Sequence, residues 1–146
     1  MKQYDPQKAA QVWQRVQNQS DAAPDGLPAL IMAQWETAAA CRRISETGLQ
    51  EIRRMAQRHI HCLKGIYRLV NDQPPVVRAP APADEAAAPA DEAAAPALRK
   101  CYLRMLRCLS AYESRSEDPE YGPVFRQLAL EQRDGCCRLL AYIGTL

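Results

Sequence analysis

The sequence predicts an all-α fold: a four-helix bundle with one long crossover connection and a short extra helix at the N-terminus. Three observations predict it. Apolar residues recur at offsets of three and four through most of the chain, and no run alternates with a period of two between turn signals. One alanine- and proline-rich segment also divides the helical stretches into two halves. At 146 residues the chain is long enough for one domain with its own core, so a single domain over 1–146 is expected.

The elements follow in chain order. A short helix over about residues 6–19 carries Ala10, Val12, Trp13 and Val16 on one side. The first core helix, about 26–45, carries Leu30, Ala33, Ala40 and Ile44; the second, about 48–71, carries Ile52, Met55, Leu63 and Ile66. The segment 74–97 contains "APADEAA" twice, with Pro82, Pro89 and Pro96 spaced seven apart. Prolines at that interval oppose a continuous helix, and Ala with Asp and Glu offers little to bury, so this stretch reads as a semi-extended linker. The third core helix is expected over about 97–115. The fourth, about 119–143, opens on Asp118 as N-cap and Pro119 as first helical residue and ends near Gly144.

Two short-looped hairpins joined by a long linker form the bundle topology with one crossover, because some 25 residues can reach the far corner. Nineteen Lys and Arg against 17 Asp and Glu leave a net charge of +2, with the cations scattered. No nucleic-acid or anionic-membrane footprint results. No segment approaches the roughly 20 apolar residues of a membrane span, and "MKQYDPQKAAQVWQRVQ" has no apolar signal region, so the expected location is the cytoplasm. In that reducing setting the six cysteines read as buried thiols or ligands; no C-x-x-C pair is present. Gly-rich phosphate loops, G-x-S-x-G and Cys/His/Asn signatures are absent as well, so no catalytic residue is assigned and an enzyme is not the expectation.

A bundle of this topology builds metal sites by aiming carboxylates and imidazoles inward. Glu36 shares a helical stripe with Ala29, Met32, Ala33, Ala39 and Ala40. His59 shares one with Ile52, Met55, Ala56, Cys62, Leu63 and Ile66, and Glu131 with Leu128, Gly135 and Leu139; Asp134 stands one turn further on. His61 is about 200° from His59 and faces elsewhere. The third core helix has the stripe Leu98, Cys101, Tyr102, Met105, Cys108, Leu109 and Tyr112, with no carboxylate.

"RRMAQRHIHCLKGIYRLV" and "LRKCYLRMLRCLSAYESRSEDPEYGPVFRQLALEQRDGCCRLL" resemble the two halves of the ferritin-like, rubrerythrin-type domains of anaerobic bacteria, and "AAQVWQRV" resembles their N-terminal lead-in. The resemblance covers nearly all of the chain except the linker. It implies a di-iron ligand pattern of Glu, Glu-x-x-His, Glu and Glu-x-x-His, and it implies dimers. Glu36 matches the first position, His59 the first histidine and Glu131 the last glutamate. Ala56 stands where a Glu is expected three residues before His59, Met105 replaces another Glu, and Asp134 stands in the second histidine's place.

Without carboxylates at 56 and 105, two hard cations have too few ligands to sit side by side. Three readings stay open. One divalent ion, Fe, Mn or Zn, is held by Glu36, His59 and Glu131, with Asp134 nearby. Alternatively the same residues form a metal-free polar cluster in a bundle that serves as a scaffold or protein-interaction module. Lastly, the stripes Met55, His59, Cys62 and Cys101, Met105, Cys108 offer soft donors for Cu(I). A homodimer is the partner state that the resemblance implies; neither nucleic acid nor membrane is expected.

Overall fold

The computed structural model describes residues 26–42, 44–77 and 91–146, with the backbone alone for 91–94. Four helices make up this part: α1 (Leu27–Cys41), α2 (Thr47–Asn71), α3 (Asp91–Ser114) and α4 (Gly122–Ile143). No strand occurs among the described residues. The helix expected over about 6–19 and the linker stretch 78–90 lie outside them.

Gly26, at φ 90°, turns the chain into α1, and Pro28 sits in the first turn, where its missing N–H costs no helical bond. The helix stops at Cys41, four residues before the expected end. There the Gln50 side-chain amide donates to the carbonyls of Cys41 (3.3 Å) and Ile44 (2.6 Å), which gives the terminal acceptors a partner outside the helix. In α2 the Glu46 carboxylate caps the N-terminus by accepting from the Leu49 N–H at 3.0 Å. At the other end Asp72 adopts φ 56°, and its N–H closes on the Arg68 carbonyl at 2.9 Å.

The third helix begins at Asp91, six residues inside the expected linker, and contains Pro96. A proline so close to the start removes a single backbone bond, and the flanking alanines are strong helix formers, so residues 91–94, which close the repeat's last copy, belong to the helix. The fourth helix starts later than expected. Asp118 does cap this junction: its Oδ1 accepts from the N–H groups of Glu120 (2.9 Å) and Tyr121 (2.7 Å). Those bonds organise a separate turn, which delivers the chain to Gly122. A Cβ at Gly122 would lie 2.5 Å from the Ser116 carbonyl oxygen, so the close turn requires glycine.

The core falls into two clusters stacked along the bundle. One gathers Leu30 and Ile31 of α1, Ile60, Leu63 and Ile66 of α2, Cys108 and Tyr112 of α3, and Phe125 and Leu128 of α4. The other gathers Cys41 of α1, Leu49, Ile52 and Met55 of α2, Leu98, Cys101 and Met105 of α3, and Cys136 and Leu139 of α4. Reading each helix from one cluster to the other gives its direction: α1 and α4 run one way, α2 and α3 the other. Side-by-side packing joins α1 to α2, α3 to α4, α2 to α4 and α1 to α3, leaving α1/α4 and α2/α3 on the diagonals. Because α2 and α3 are parallel, the C-terminal end of α2 and the N-terminal end of α3 lie at opposite ends of the bundle. A helix of 24 residues, the length of α3, is about 36 Å long. None of the described helices is long and apolar enough to cross a membrane.

Candidate functional site

Each helix contributes a buried polar side chain to one hydrogen-bonded set, Gln34, His59, Tyr112 and Gln132, and α1 also buries Thr37, whose hydroxyl donates to the Ala33 carbonyl. Gln34 is the hub. Its Nε2 lies 2.8 Å from Tyr112 Oη, 2.9 Å from Gln132 Oε1 and 3.4 Å from His59 Nδ1, while Tyr112 Oη lies 3.1 Å from His59 Nδ1. The His59 and Tyr112 rings meet edge to face, with centroids 5.5 Å apart.

One backbone carbonyl orients all of these hydrogen bonds. The Gln132 Nε2 lies 3.1 Å from the Met105 carbonyl oxygen, which can only accept, so the amine end of Gln132 points there and its Oε1 turns to Gln34. Gln34 therefore presents Nε2, and its two hydrogens go to Gln132 Oε1 and Tyr112 Oη. Having accepted from Gln34, the Tyr112 hydroxyl is free to donate to His59 Nδ1. Neutral His59 then carries its hydrogen on Nε2. Burial pushes the imidazole down to about 4, with the Glu131 carboxylate acting in the opposite sense and Arg58 reinforcing the shift. The ring is neutral at physiological pH. Burial also holds the Tyr112 phenol above its usual range, keeping its proton available to donate.

The expected ligands stand elsewhere. Glu36 is not inward: its side chain is 44 % exposed and its Oε2 lies 2.8 Å from Arg104 Nε across the α1/α3 seam. The buried face of α1 is Leu30, Ala33, Gln34, Thr37 and Cys41, and Glu36 is about 200° round the helix from Gln34. Asp134 is 66 % exposed and pairs with Arg138 one turn along at 2.8 Å. Glu131 is partly exposed, accepts from Arg58 at 3.1 Å, and has Oε1 3.9 Å from His59 Nε2. Of the expected set, only His59 and Glu131 approach each other. Among the described residues no three His, Cys, Asp or Glu side chains are grouped to hold a metal ion.

The fit to a metal can be judged from these donors. Ligation through His59 Nε2 needs a lone pair on that atom, whereas the bonds around Nδ1 place a hydrogen there. Moving the hydrogen to Nδ1 would leave the Tyr112 hydroxyl accepting twice and donating to nothing in the tetrad. Glu36 and Glu131 meanwhile spend their charge on arginines. Nor does the centre offer space: a Cβ on Gly135 would meet Met55 Sδ at 2.9 Å and Met105 Cε at 3.1 Å, so two methionines close over the position between α2, α3 and α4. A di-metal centre does not fit these residues. The soft stripes also diverge, since Met55 packs in one cluster while half-buried Cys62 packs against the other. The Cys108 thiol is pushed up to about 12 by burial.

Two Gln side chains were absent from the sequence-based candidates, yet their positions carried a signal. Gln34 stands four residues from Leu30 and seven before Cys41, and Gln132 stands four after Leu128 and seven before Leu139, so both lie in the stripes that bury. On the outer side of Glu131 a groove of about 400 Å³ runs between α2 and α4 over Ile52, Met55 and Gly135, rimmed by Arg58, Asp134 and Arg138. Comparison with protein-family models, curated proteins and solved structures finds no match to the chain.

Proposed function

We propose that the chain is a ferritin-like bundle in which a metal-free hydrogen-bonded tetrad occupies the place of a metal centre, and that it serves as a helical scaffold or protein-interaction module rather than as an oxidase or peroxidase. The helix order, with parallel α2 and α3 joined by the one long connection, supports the ferritin-like reading. The single observation that carries the functional reading is the Gln34 hub, which ties one residue from every helix into a directed set of hydrogen bonds. Such a set fixes the register and rotation of four helices against one another, which a scaffold needs and a metal centre would otherwise supply. Elemental analysis of protein made in metal-supplemented cells tests this. No stoichiometric metal and a melting temperature indifferent to chelator are expected; two irons per chain would refute the proposal.

A second reading rests on one specific observation, the unpartnered His59 Nε2 facing the Glu131 carboxylate at 3.9 Å. Here one divalent ion, Fe, Mn or Zn, would be held by His59 and Glu131 after the imidazole changes tautomer, with water completing its shell. One metal per chain, lost in both His59→Ala and Glu131→Ala but kept in Glu36→Ala, is the result this reading requires.

A further inference from the structure

We infer that the groove between α2 and α4 is a binding site for a small neutral alcohol, whose hydroxyl bridges His59 and Glu131 while its apolar body lies on the groove floor. The inference rests on the metal-free reading above, which places a hydrogen on His59 Nε2. That nitrogen is closed off from solvent in a fully buried ring, and it has no hydrogen-bond partner. An unpaired donor destabilises a core and marks a place for an acceptor. It faces Glu131 Oε1 at 3.9 Å, too far for a direct hydrogen bond, and Glu131 itself forms part of the groove wall.

The gap selects the chemistry. One oxygen that accepts at about 2.9 Å and donates at about 2.7 Å fits between the two atoms once they part by less than about 1 Å. The Glu131 side chain is partly exposed and can move outward by that much. A carboxylate in the gap would lie against the Glu131 carboxylate, and an ammonium would bring no lone pair to the His59 N–H. A hydroxyl satisfies both sides. The rest of the wall calls for no charged ligand, because its carboxylates are already paired: Glu51 with Arg54 at 2.6 Å, Glu131 with Arg58 at 3.1 Å and Asp134 with Arg138 at 2.8 Å. The floor is apolar. Met55 stands one turn before His59 and Gly135 one turn after Glu131, so the apolar surface begins beside the gap and continues to Ile52. Its space of about 400 Å³ lies in the range of small-molecule sites, and the Met55 side chain can adapt to what enters. Water would fit the gap, but only an alcohol also covers the floor.

The experiment titrates the full chain, nitrogen-15 labelled and free of metal, with 1-hexanol, hexanoate and hexylammonium at millimolar concentrations, and reads backbone amides and the His59 ring nitrogens by NMR. Hexanol should shift Met55, Glu131 and Gly135 saturably, with a Kd on the order of 1 mM, and should move the His59 Nε2–H resonance. The two charged probes should bind at least about fivefold more weakly, since each leaves one side of the gap unsatisfied. Glu131→Ala, which removes the acceptor, should weaken hexanol by about the same factor. Equal binding of all three probes, shifts scattered over the bundle, or full hexanol affinity in Glu131→Ala would overturn the inference. The ring nitrogens separate the two ways of failing. A hydrogen on Nε2 with no response to hexanol rejects the alcohol site and leaves the tetrad standing, whereas a hydrogen on Nδ1 rejects the tetrad's hydrogen-bond order and the site with it.

Discussion

The Tyr112 hydroxyl lies 3.1 Å from Nδ1 of His59, and this contact decides which nitrogen of the imidazole carries the hydrogen. Tyr112→Phe removes that donor and, at the same stroke, the acceptor for Gln34 Nε2 at 2.8 Å. Two buried groups lose a partner, each at a cost of about 1–3 kcal/mol. A loss of roughly 2–5 kcal/mol in denaturant unfolding is expected. A change under 1 kcal/mol would show that the tetrad does not hold the helices.

His59 also sets an acid limit. The unfolded imidazole takes up its proton below about 6.5, while the folded one resists down to about 4. Between those values the unfolded chain binds more protons, so stability falls as pH falls, and above 6.5 the residue contributes no pH dependence. The full difference is on the order of 3 kcal/mol. Unfolding free energies of wild type and His59→Asn should converge as pH drops from 7 to 4, beyond the slope that carboxylates give both proteins.

Gln34 and Gln132 should behave as a unit. Gln34→Leu strands Tyr112 Oη and Gln132 Oε1, and Gln132→Leu strands the Met105 carbonyl. Once one amide is gone, the other has already lost their shared bond, so the double variant costs less than the two single variants together. A coupling of about 1–2 kcal/mol is expected from a double-mutant cycle. Additive losses would sink this account.

The carboxylates on the surface should matter far less. Glu36→Ala and Glu131→Ala each break an arginine pair with solvent on at least one side, and about 0–1 kcal/mol apiece is expected in chemical denaturation. A large loss from Glu36→Ala would mean that it reaches into the core.

Two glycines separate backbone from side-chain crowding. At Gly135 an added Cβ meets only flexible methionine ends, and the helix propensity gained by alanine offsets part of the shift, so Gly135→Ala should lie within about 1–2 kcal/mol of wild type. At Gly122 the obstacle is the Ser116 backbone oxygen at 2.5 Å, which cannot rotate away. Gly122→Ala should cost at least twice as much, read by thermal melting, and should loosen the turn from Ser116 to Tyr121.

The amphipathic pattern from Ile52 to Ile66 determined α2 to within one residue at its start, because its apolar stripe is narrow and its outer face is charged. The division into two helical pairs was also legible, since no short loop accounts for a segment as long and as proline-rich as 74–97. Ala56 and Met105 stand where the resemblance to ferritin-like domains implies glutamates, so the expectation of no di-metal centre came from that resemblance and not from periodicity or spacing. What only the tertiary structure decided was the rotation of α1. Its sequence is apolar almost all round, so periodicity could not choose between the stripe containing Glu36 and the one containing Gln34. Packing against both α2 and α3 turned Gln34 inward, where partners from three other helices meet it, and left Glu36 within reach of Arg104. A buried amide is tolerable only when such partners converge, and partners separated by 25, 78 and 98 residues in the chain converge only in the folded bundle.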